Sequence, residues 1–186
     1  SDHMVLQQNE SVVFWGKYSP RKRVLVSTNW GANQSGMTDV DGNWSLNLET
    51  PGFGGPFSIS ISTTDSTILL NDVMVGEVWL ASGQSNMEMP LVGWPPNDLI
   101  LNSEQEIMDA DNPDIRMFTV SKEFSTTPLK SVTGTWKMAT PETVGNFSAT
   151  AYFFAQRLGR ELELPVGIIH SSWGGTPAEA WTSELQ

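Results

Sequence analysis

Residues 76–89 contain a short apolar run that stops abruptly before a serine, and the pattern of the chain differs on the two sides of it. The run Val-Trp-Leu-Ala at residues 78–81 is bounded by Gly76 and Gly83, which predicts a short buried strand. Ser85 follows in a Gly-Gln-Ser-Asn turn. Because chemistry in an open α/β sheet lies beyond the carboxyl ends of the strands, Ser85 is a candidate nucleophile. On this tetrapeptide alone a serine that caps a helix is the favoured interpretation, and both interpretations stay open at this point.

The chain before this stretch has the pattern of short strands separated by turns. Apolar or alternating segments predict strands at residues 12–15, 23–27, 44–48, 57–62 and 67–70. The pair Asp41-Gly42 is typical of a hairpin turn, and Asn71-Asp72 is expected to turn the chain into the next unit. Residues 5–72 are therefore expected to form a small antiparallel β-sandwich domain, of jelly-roll or immunoglobulin-like type.

Residues 73–186 have a different pattern, in which strands and helices alternate. Beyond residues 78–81, the sequence predicts strands at 115–120 and 165–170, helices at 103–109, 149–162 and 177–181, and a long loop at 122–146. This alternation is typical of βαβ units, so we expect an α/β domain with a parallel sheet.

Several residues of this region have specific expected roles. Ser148 is expected to cap the helix that follows it, and Pro177 to occupy the first position of the last helix. The core is expected to include an apolar stripe on one helix and two tryptophans, namely Tyr152, Phe153, Ala155 and Leu162 together with Trp44 and Trp79.

The parallel sheet is expected to be incomplete within this chain. The sequence predicts three strands, whereas sheets average about five to six. A sheet of three strands would leave hydrophobic faces uncovered, and the sequence stops just inside a helix at Gln186. We therefore expect the first part of a longer polypeptide, or one piece of an assembled protein. Ser1 to Met4 are interpreted as a remnant of cloning, so the absence of a signal peptide from this sequence carries no information. A secreted or periplasmic location is expected.

Composition excludes several classes of function. The chain has 186 residues, with 10 Lys and Arg against 21 Asp and Glu, for a net charge of -11. That charge disfavours nucleic acid or an anionic membrane as a partner, and no apolar run approaches the roughly 18 residues of a membrane span. The chain has no cysteine, which excludes disulfides, thiolate zinc sites and cysteine nucleophiles. With His170 as the one usable histidine, neither a metal site nor a cofactor is expected.

A serine nucleophile needs a base and preorganised N–H donors for the oxyanion. The backbone N–H of Ser85 is one candidate donor. Gly174 and Gly175 follow the third strand, where paired glycines permit close approach of a ligand to the backbone, although an ordinary strand-to-helix turn fits as well. No convincing base is present, because a lone histidine at a strand end, such as His170, is more often structural.

Three segments resemble the sialate O-acetylesterase family of the SGNH hydrolase group. They are residues 76–91, which contain Gly-Gln-Ser-Asn-Met-Glu-Met-Pro, residues 147–155, and residues 165–181, which contain His-Ser-Ser-Trp-Gly-Gly-Thr-Pro. The opening Val-Leu-Gln-Gln and the Asp-Gly-Asn-Trp turn at residues 41–44 resemble the N-terminal β domain of the family. The resemblance extends over nearly the whole chain.

The resemblance implies a flavodoxin-like SGNH domain and a serine esterase that removes acetyl groups from sugars without a cofactor. Ser85 would be the nucleophile, and the backbone N–H groups of Ser85 and of Gly174 or Gly175 would hold the oxyanion. The Asn or Gln donor and the Asp-x-x-His pair of the family would lie beyond residue 186, in the remainder of the polypeptide or in a complementing chain. The position of His170 is non-catalytic in the family.

Two alternatives to a sialate esterase remain open at this point. One is a non-catalytic carbohydrate-binding or adaptor module, in which exposed tryptophans stack on sugars. The other is an esterase that acts on a neutral acetylated polysaccharide such as xylan. A sialic acid would need a local cation because the chain as a whole is acidic, and Arg116 is a candidate for that role.

Overall fold

The structure is a computed structural model that describes residues 1–182. The chain forms two compact units, with the boundary between Glu77 and Val78. The sequence predicts that the chain stops just inside a helix at Gln186, and that residue lies outside the described residues. No helix among residues 1–182 is long and apolar enough to cross a membrane.

The first unit is built from strands that form two sheets. The strands are β1 (Val5–Gln7), β2 (Ser11–Lys17), β3 (Arg23–Thr28), β4 (Asn33–Met37), β5 (Asn43–Glu49), β6 (Gly54–Ser62) and the first part of β7 (Thr67–Gly83). One sheet has the order β4-β3-β6-β7, with β1 also paired to β7, and the other is the antiparallel pair β2-β5. The buried side chains of Val24, Val26, Ile59 and Val73 supply apolar contacts in this unit.

All five strands predicted in the first unit are present, but β1 and β4 were not predicted. β1 has only three residues and runs parallel to β7, so this unit is not purely antiparallel. β4 has the polar sequence Asn-Gln-Ser-Gly-Met and is paired only with β3 in the described sheet. A polar edge strand has no alternation of apolar residues to reveal it.

One expectation about the borders of this unit is wrong. Asn71 and Asp72 do not end a strand, since β7 continues through them, and the register with β6 shifts between Phe57 and Ile59. The positive φ of 53° at Asp72 fits such a bulge. The segment interpreted as a remnant of cloning contacts this unit, because Met4 is buried and the His3 ring lies 2.6 Å from the Asp72 carboxylate.

The second unit combines a sheet with short helices. It contains the end of β7, α1 (Ser85–Glu88), α2 (Ser103–Met108), β8 (Asn112–Thr119), β9 (Trp136–Ala139), α3 (Pro141–Val144), α4 (Ala149–Leu162), β10 (Val166–Ser172) and a 3₁₀ helix (Ala178–Trp181). The strand order is β7-β10-β8-β9. β10 runs parallel to β8, and β9 is antiparallel to β8.

This sheet confirms the α/β class and adds detail to it. The strand β10 lies between β7 and β8, whereas a flavodoxin-like order places the first strand of the domain between the second and third.

The long loop predicted at residues 122–146 contains β9 and α3, which are only four residues each and too short to show a period.

The core of the second unit lies around α4. Ser148 caps this helix as expected, because its Oγ accepts a hydrogen bond from the N–H of Ala151 at 3.2 Å. Tyr152 and Ala155 are buried as predicted, and Phe153 packs against them, but Leu162 is 47% exposed and was wrongly assigned to the core. Leu162 is the last residue of the helix, where the apolar stripe no longer faces the sheet.

Two further expectations in this unit are wrong. The segment from Val78 to Ala81 is a strand but not a buried one, since Trp79 is 45% and Leu80 is 67% exposed. An apolar sequence predicts a strand without showing which neighbours cover it. Pro177 precedes a 3₁₀ helix as its cap and does not open an α-helix.

Candidate active site

Ser85 lies directly beyond the carboxyl end of β7, as the sequence predicts. Gly83 ends the strand with a φ of +139°, a conformation that glycine adopts without steric cost. Ser85 is then the first residue of the single-turn helix α1. The capping side chain is that of Gln84, whose Oε1 accepts hydrogen bonds from the Ser85 N–H at 3.1 Å and from its hydroxyl at 2.9 Å. The interpretation of Ser85 as a helix cap is therefore wrong.

The Gly174 turn lies against Ser85, although 88 residues of chain separate the two. The N–H of Trp173 donates to the carbonyl of Gly83 at 2.9 Å, which brings the ends of β10 and β7 together. A Cβ placed on Gly174 would lie 3.6 Å from both Cα and Cβ of Ser85. Gly175 has a φ of +80°, and a Cβ placed there would meet nothing within 4 Å. The two glycine-containing motifs thus meet at one edge of the sheet.

Glu88 is a residue of this site that the sequence analysis missed. Its Oε2 accepts a hydrogen bond from the N–H of Gly174, and its Oε1 forms an ion pair with the Nζ of Lys122. Lys122 and then the Gly174 N–H hold the pKa of Glu88 below its ordinary value. Its spacing from Ser85 could have indicated Glu88 as a site residue, because a residue three positions after Ser85 lies on the same face of a helical turn.

His170 is close to this network but does not bond to Ser85. It is 94% buried within β10, where its Nε2 lies 2.7 Å from the Ser172 hydroxyl and its ring packs edge-on against Phe147. Burial lowers the pKa of His170, against a smaller upward effect of the Met87 backbone and the Glu88 carboxylate. Among residues 1–182, the Ser85 hydroxyl bonds only to Gln84, so the described chain supplies no base in contact with it.

A cleft of about 470 Å³ opens at the carboxyl ends of β8 and β10. Its aromatic lining residues are Phe124, Trp173 and Trp181. Lys122 lines it too and lies 5.8 Å from the ring centroid of Trp173. Trp173 directly precedes the Gly174 turn, so the cleft adjoins the surroundings of Ser85 without including Ser85 in its wall.

Two other features bear on what the site can bind. Arg116 is 98% buried and donates from Nε to the carbonyl of Pro113 at 2.5 Å, so it is not placed to meet a substrate at the surface.

Within the part of the chain that the structure describes, no three His, Asp or Glu side chains are grouped in a way that could hold a metal ion.

The fold and this site together define an α/β protein with a serine and a Gly-Gly turn at adjacent strand ends. No family model matches the chain. The chain is 34% identical to rat sialate O-acetylesterase and 33% identical to the human protein, in both cases over 98% of its length. It superposes on a carbohydrate acetylesterase from Xanthomonas citri with a TM-score of 0.93 at 35% identity, over 100% of the chain.

These similarities show that the chain is a homologue of the sialate O-acetylesterases. The chain spans only 36% of the rat protein, 38% of the human protein and 41% of the Xanthomonas structure.

Proposed function

We propose that this chain carries the nucleophile of a serine O-acetylesterase that acts on acetylated sugars. The observation that carries the proposal is the contact of the Gly174 turn with Ser85 at the carboxyl ends of β10 and β7. Such a turn brings backbone N–H groups next to a serine, as acyl transfer requires. The names of the relatives, sialate O-acetylesterase and carbohydrate acetylesterase, agree with that chemistry.

The proposed reaction is a two-step acyl transfer. The Ser85 hydroxyl loses its proton to a base and attacks the acetyl carbonyl, and the N–H groups of Ser85 and of the Gly174-Gly175 turn stabilise the oxyanion. The tetrahedral intermediate then expels the sugar oxygen, which takes the proton back from the base. Water hydrolyses the acetyl-enzyme and releases acetate.

In this proposal the base comes from outside residues 1–182. It belongs to the remainder of the same polypeptide or to a complementing chain, together with its orienting carboxylate and a further amide donor. The Ser85 hydroxyl donates to Gln84 in the structure, so it has to turn toward the base before it reacts. No metal or cofactor has a step in this scheme.

Replacement of Ser85 by alanine in the full-length protein tests the proposal. We expect S85A to lose acetate release from acetylated sugars and to lose covalent labelling by a fluorophosphonate. S82A is the matched control, because Ser82 is an exposed serine three residues earlier, near the end of β7. Full activity in S85A would overturn the proposal. Sugar binding without any turnover in the wild type would favour the carbohydrate-binding module instead.

The charge around the cleft favours a neutral acetylated glycan, such as acetylated xylan, over a sialic acid. Among the described residues that line the cleft, Lys122 is the one cation, and Glu88 already compensates its charge. Glu123 also lines the cleft and adds a negative charge. A sialic acid carboxylate would therefore meet no free positive charge on this wall, whereas a neutral sugar ring could stack on the exposed faces of Trp173 and Trp181.

A comparison of two substrates separates these alternatives. We expect a higher kcat/KM for acetylated xylo-oligosaccharides than for an O-acetylated sialic acid, measured as acetate release by the full-length protein. A reversed preference would favour the sialate esterase and would place the carboxylate-binding cation outside this cleft.

We further propose a secreted or periplasmic location, because polymeric acetylated glycans lie outside the cytoplasm. Fractionation of the source cells, with detection by an antibody, tests this. Recovery of the protein with the cytoplasmic fraction would contradict it.

A further inference from the structure

We propose that Glu88 is a positioning residue of the esterase site, which holds the Gly174 turn against the nucleophile while Lys122 compensates its charge. This inference rests on the proposed function. It assigns a role to a carboxylate that no part of the acyl-transfer scheme uses.

The first argument is the set of segments that Glu88 joins. Its backbone belongs to α1, the helix that begins at Ser85. One carboxylate oxygen accepts from Gly174 after β10, and the other pairs with Lys122 after β8. One side chain thus connects three loops at the carboxyl ends of neighbouring strands. Because acyl transfer tolerates little misplacement of the oxyanion donors, this connection matters for the rate.

The second argument concerns space. A Cβ on Gly174 would lie 2.7 Å from Oε2 of Glu88 and 3.6 Å from Ser85. The turn is therefore bonded to the carboxylate and lies next to the nucleophile. We expect a movement of the carboxylate to change the distance between the turn and Ser85.

The third argument concerns charge. A carboxylate close to a developing oxyanion opposes catalysis unless a cation compensates it. Lys122 supplies that cation, and it is held in place by its second contact with the ring of Trp173. The ion pair lets Glu88 act as a hydrogen-bond acceptor at this position with little net charge.

The fourth argument concerns the oxyanion donors. While the Gly174 N–H donates to Glu88, it is not available to a substrate oxygen. Of the two glycines in the turn, Gly175 is then the donor that remains for the oxyanion. Its surroundings are open, since a Cβ there meets nothing within 4 Å.

Substitutions of Glu88 in the full-length protein test this role. We expect E88A to lower kcat about 10- to 100-fold, as loss of an orienting partner does, with KM changed by less than about twofold. We expect E88Q to stay within about threefold of the wild type, because the amide oxygen still accepts from Gly174. E161A is the matched control, since it removes an exposed Glu on α4, outside these three loops, from an ion pair with Arg157.

A second pair of variants tests the charge argument. We expect K122M to lower kcat because the carboxylate charge is then uncompensated, and we expect the double variant K122M/E88Q to recover most of that loss. Equal activities of E88A, E88Q and wild type would overturn the role of Glu88. So would equal losses in E88A and E88Q at unchanged thermal stability, because the acceptor would then be irrelevant.

The proposed function can fail separately from this inference. If S85A is as active as the wild type, the nucleophile assignment fails, whatever Glu88 does. If S85A is inactive and E88A is fully active, only the positioning role fails. Circular dichroism and the Tm of each variant show whether a lost activity comes from a lost fold.

Discussion

The N–H of Gly174 donates a hydrogen bond to the carboxylate of Glu88, 86 residues earlier in the chain. This bond joins the turn after β10 to the helix that begins with Ser85. It accounts for the proximity of two motifs that the sequence places far apart. It also makes the two glycines of the turn unequal, since one is packed and bonded and the other is open.

Alanine substitutions at the two glycines are expected to have different effects. G174A forces a Cβ to within 2.7 Å of Glu88 Oε2, so the carboxylate must shift, and we expect kcat to fall by at least about 10-fold. G175A meets no atom within 4 Å but retains a φ of +80°, so we expect a loss of about 1–2 kcal/mol of stability. Steady-state kinetics and urea denaturation of both variants separate the two effects. A stable, fully active G174A would contradict the packing of this turn against the site.

The sequence predicted the parts of the site that depend on local pattern. Apolar runs located β10 and the end of β7, and the rule that ligands lie beyond strand ends selected Ser85 and the Gly174 turn. These features depend on backbone geometry within a few residues, which a sequence expresses directly. Whether Ser85 and the glycines act in catalysis remains a prediction.

The sequence could not predict the network around Glu88. Lys122 is 34 residues from Glu88 and belongs to a segment without periodicity, so neither residue marks the other as a partner. The burial of individual apolar side chains could not be predicted either, since Trp79 and Leu80 are as apolar as core residues and yet are exposed. Both properties depend on which distant segments pack together, and a single sequence does not show this.

His170 is expected to make the stability of the protein depend on pH. Burial lowers its pKa below the ordinary 6.5, so the unfolded chain binds a proton more readily than the folded one. The free energy of unfolding should therefore fall as pH drops below about 6.5, by at most about 1.4 kcal/mol per pH unit, and this contribution should be constant above that pH. The charged groups that face the ring are Glu88 and Lys122, and Ser172 is its hydrogen-bond partner.

Urea denaturation of the wild type and of H170Q between pH 5 and 8 measures the contribution of His170 to the free energy of unfolding. This range spans the ordinary histidine pKa of about 6.5. We expect H170Q to be less stable than the wild type at pH 8, because the buried site is disturbed, and we expect the difference to shrink toward pH 5. A difference that stays constant over this range would mean that His170 titrates alike in the folded and unfolded chains.

Ser148 is expected to stabilise the helix that packs against the sheet of the second unit. Its hydroxyl is fully buried, caps α4 through the N–H of Ala151 and lies 3.6 Å from the sulfur of Met87 in α1. We expect S148A to lower the free energy of unfolding by about 1 kcal/mol, the usual effect of removing such a cap. S131A is the matched control, because Ser131 is exposed and its hydroxyl has no hydrogen bond within the described residues.

The S148A variant also distinguishes an effect on stability from an effect on the positions of the active-site residues. Since the Ser148 hydroxyl meets α1 at the sulfur of Met87 and the backbone bond from Ala149 to Met89 is kept, S148A should leave kcat within about twofold at 25 °C, while E88A lowers it. A large loss of kcat in S148A, with the fold intact by circular dichroism, would mean that α4 sets the position of α1 and of Ser85. The positioning role assigned to Glu88 would then be shared with the start of α4.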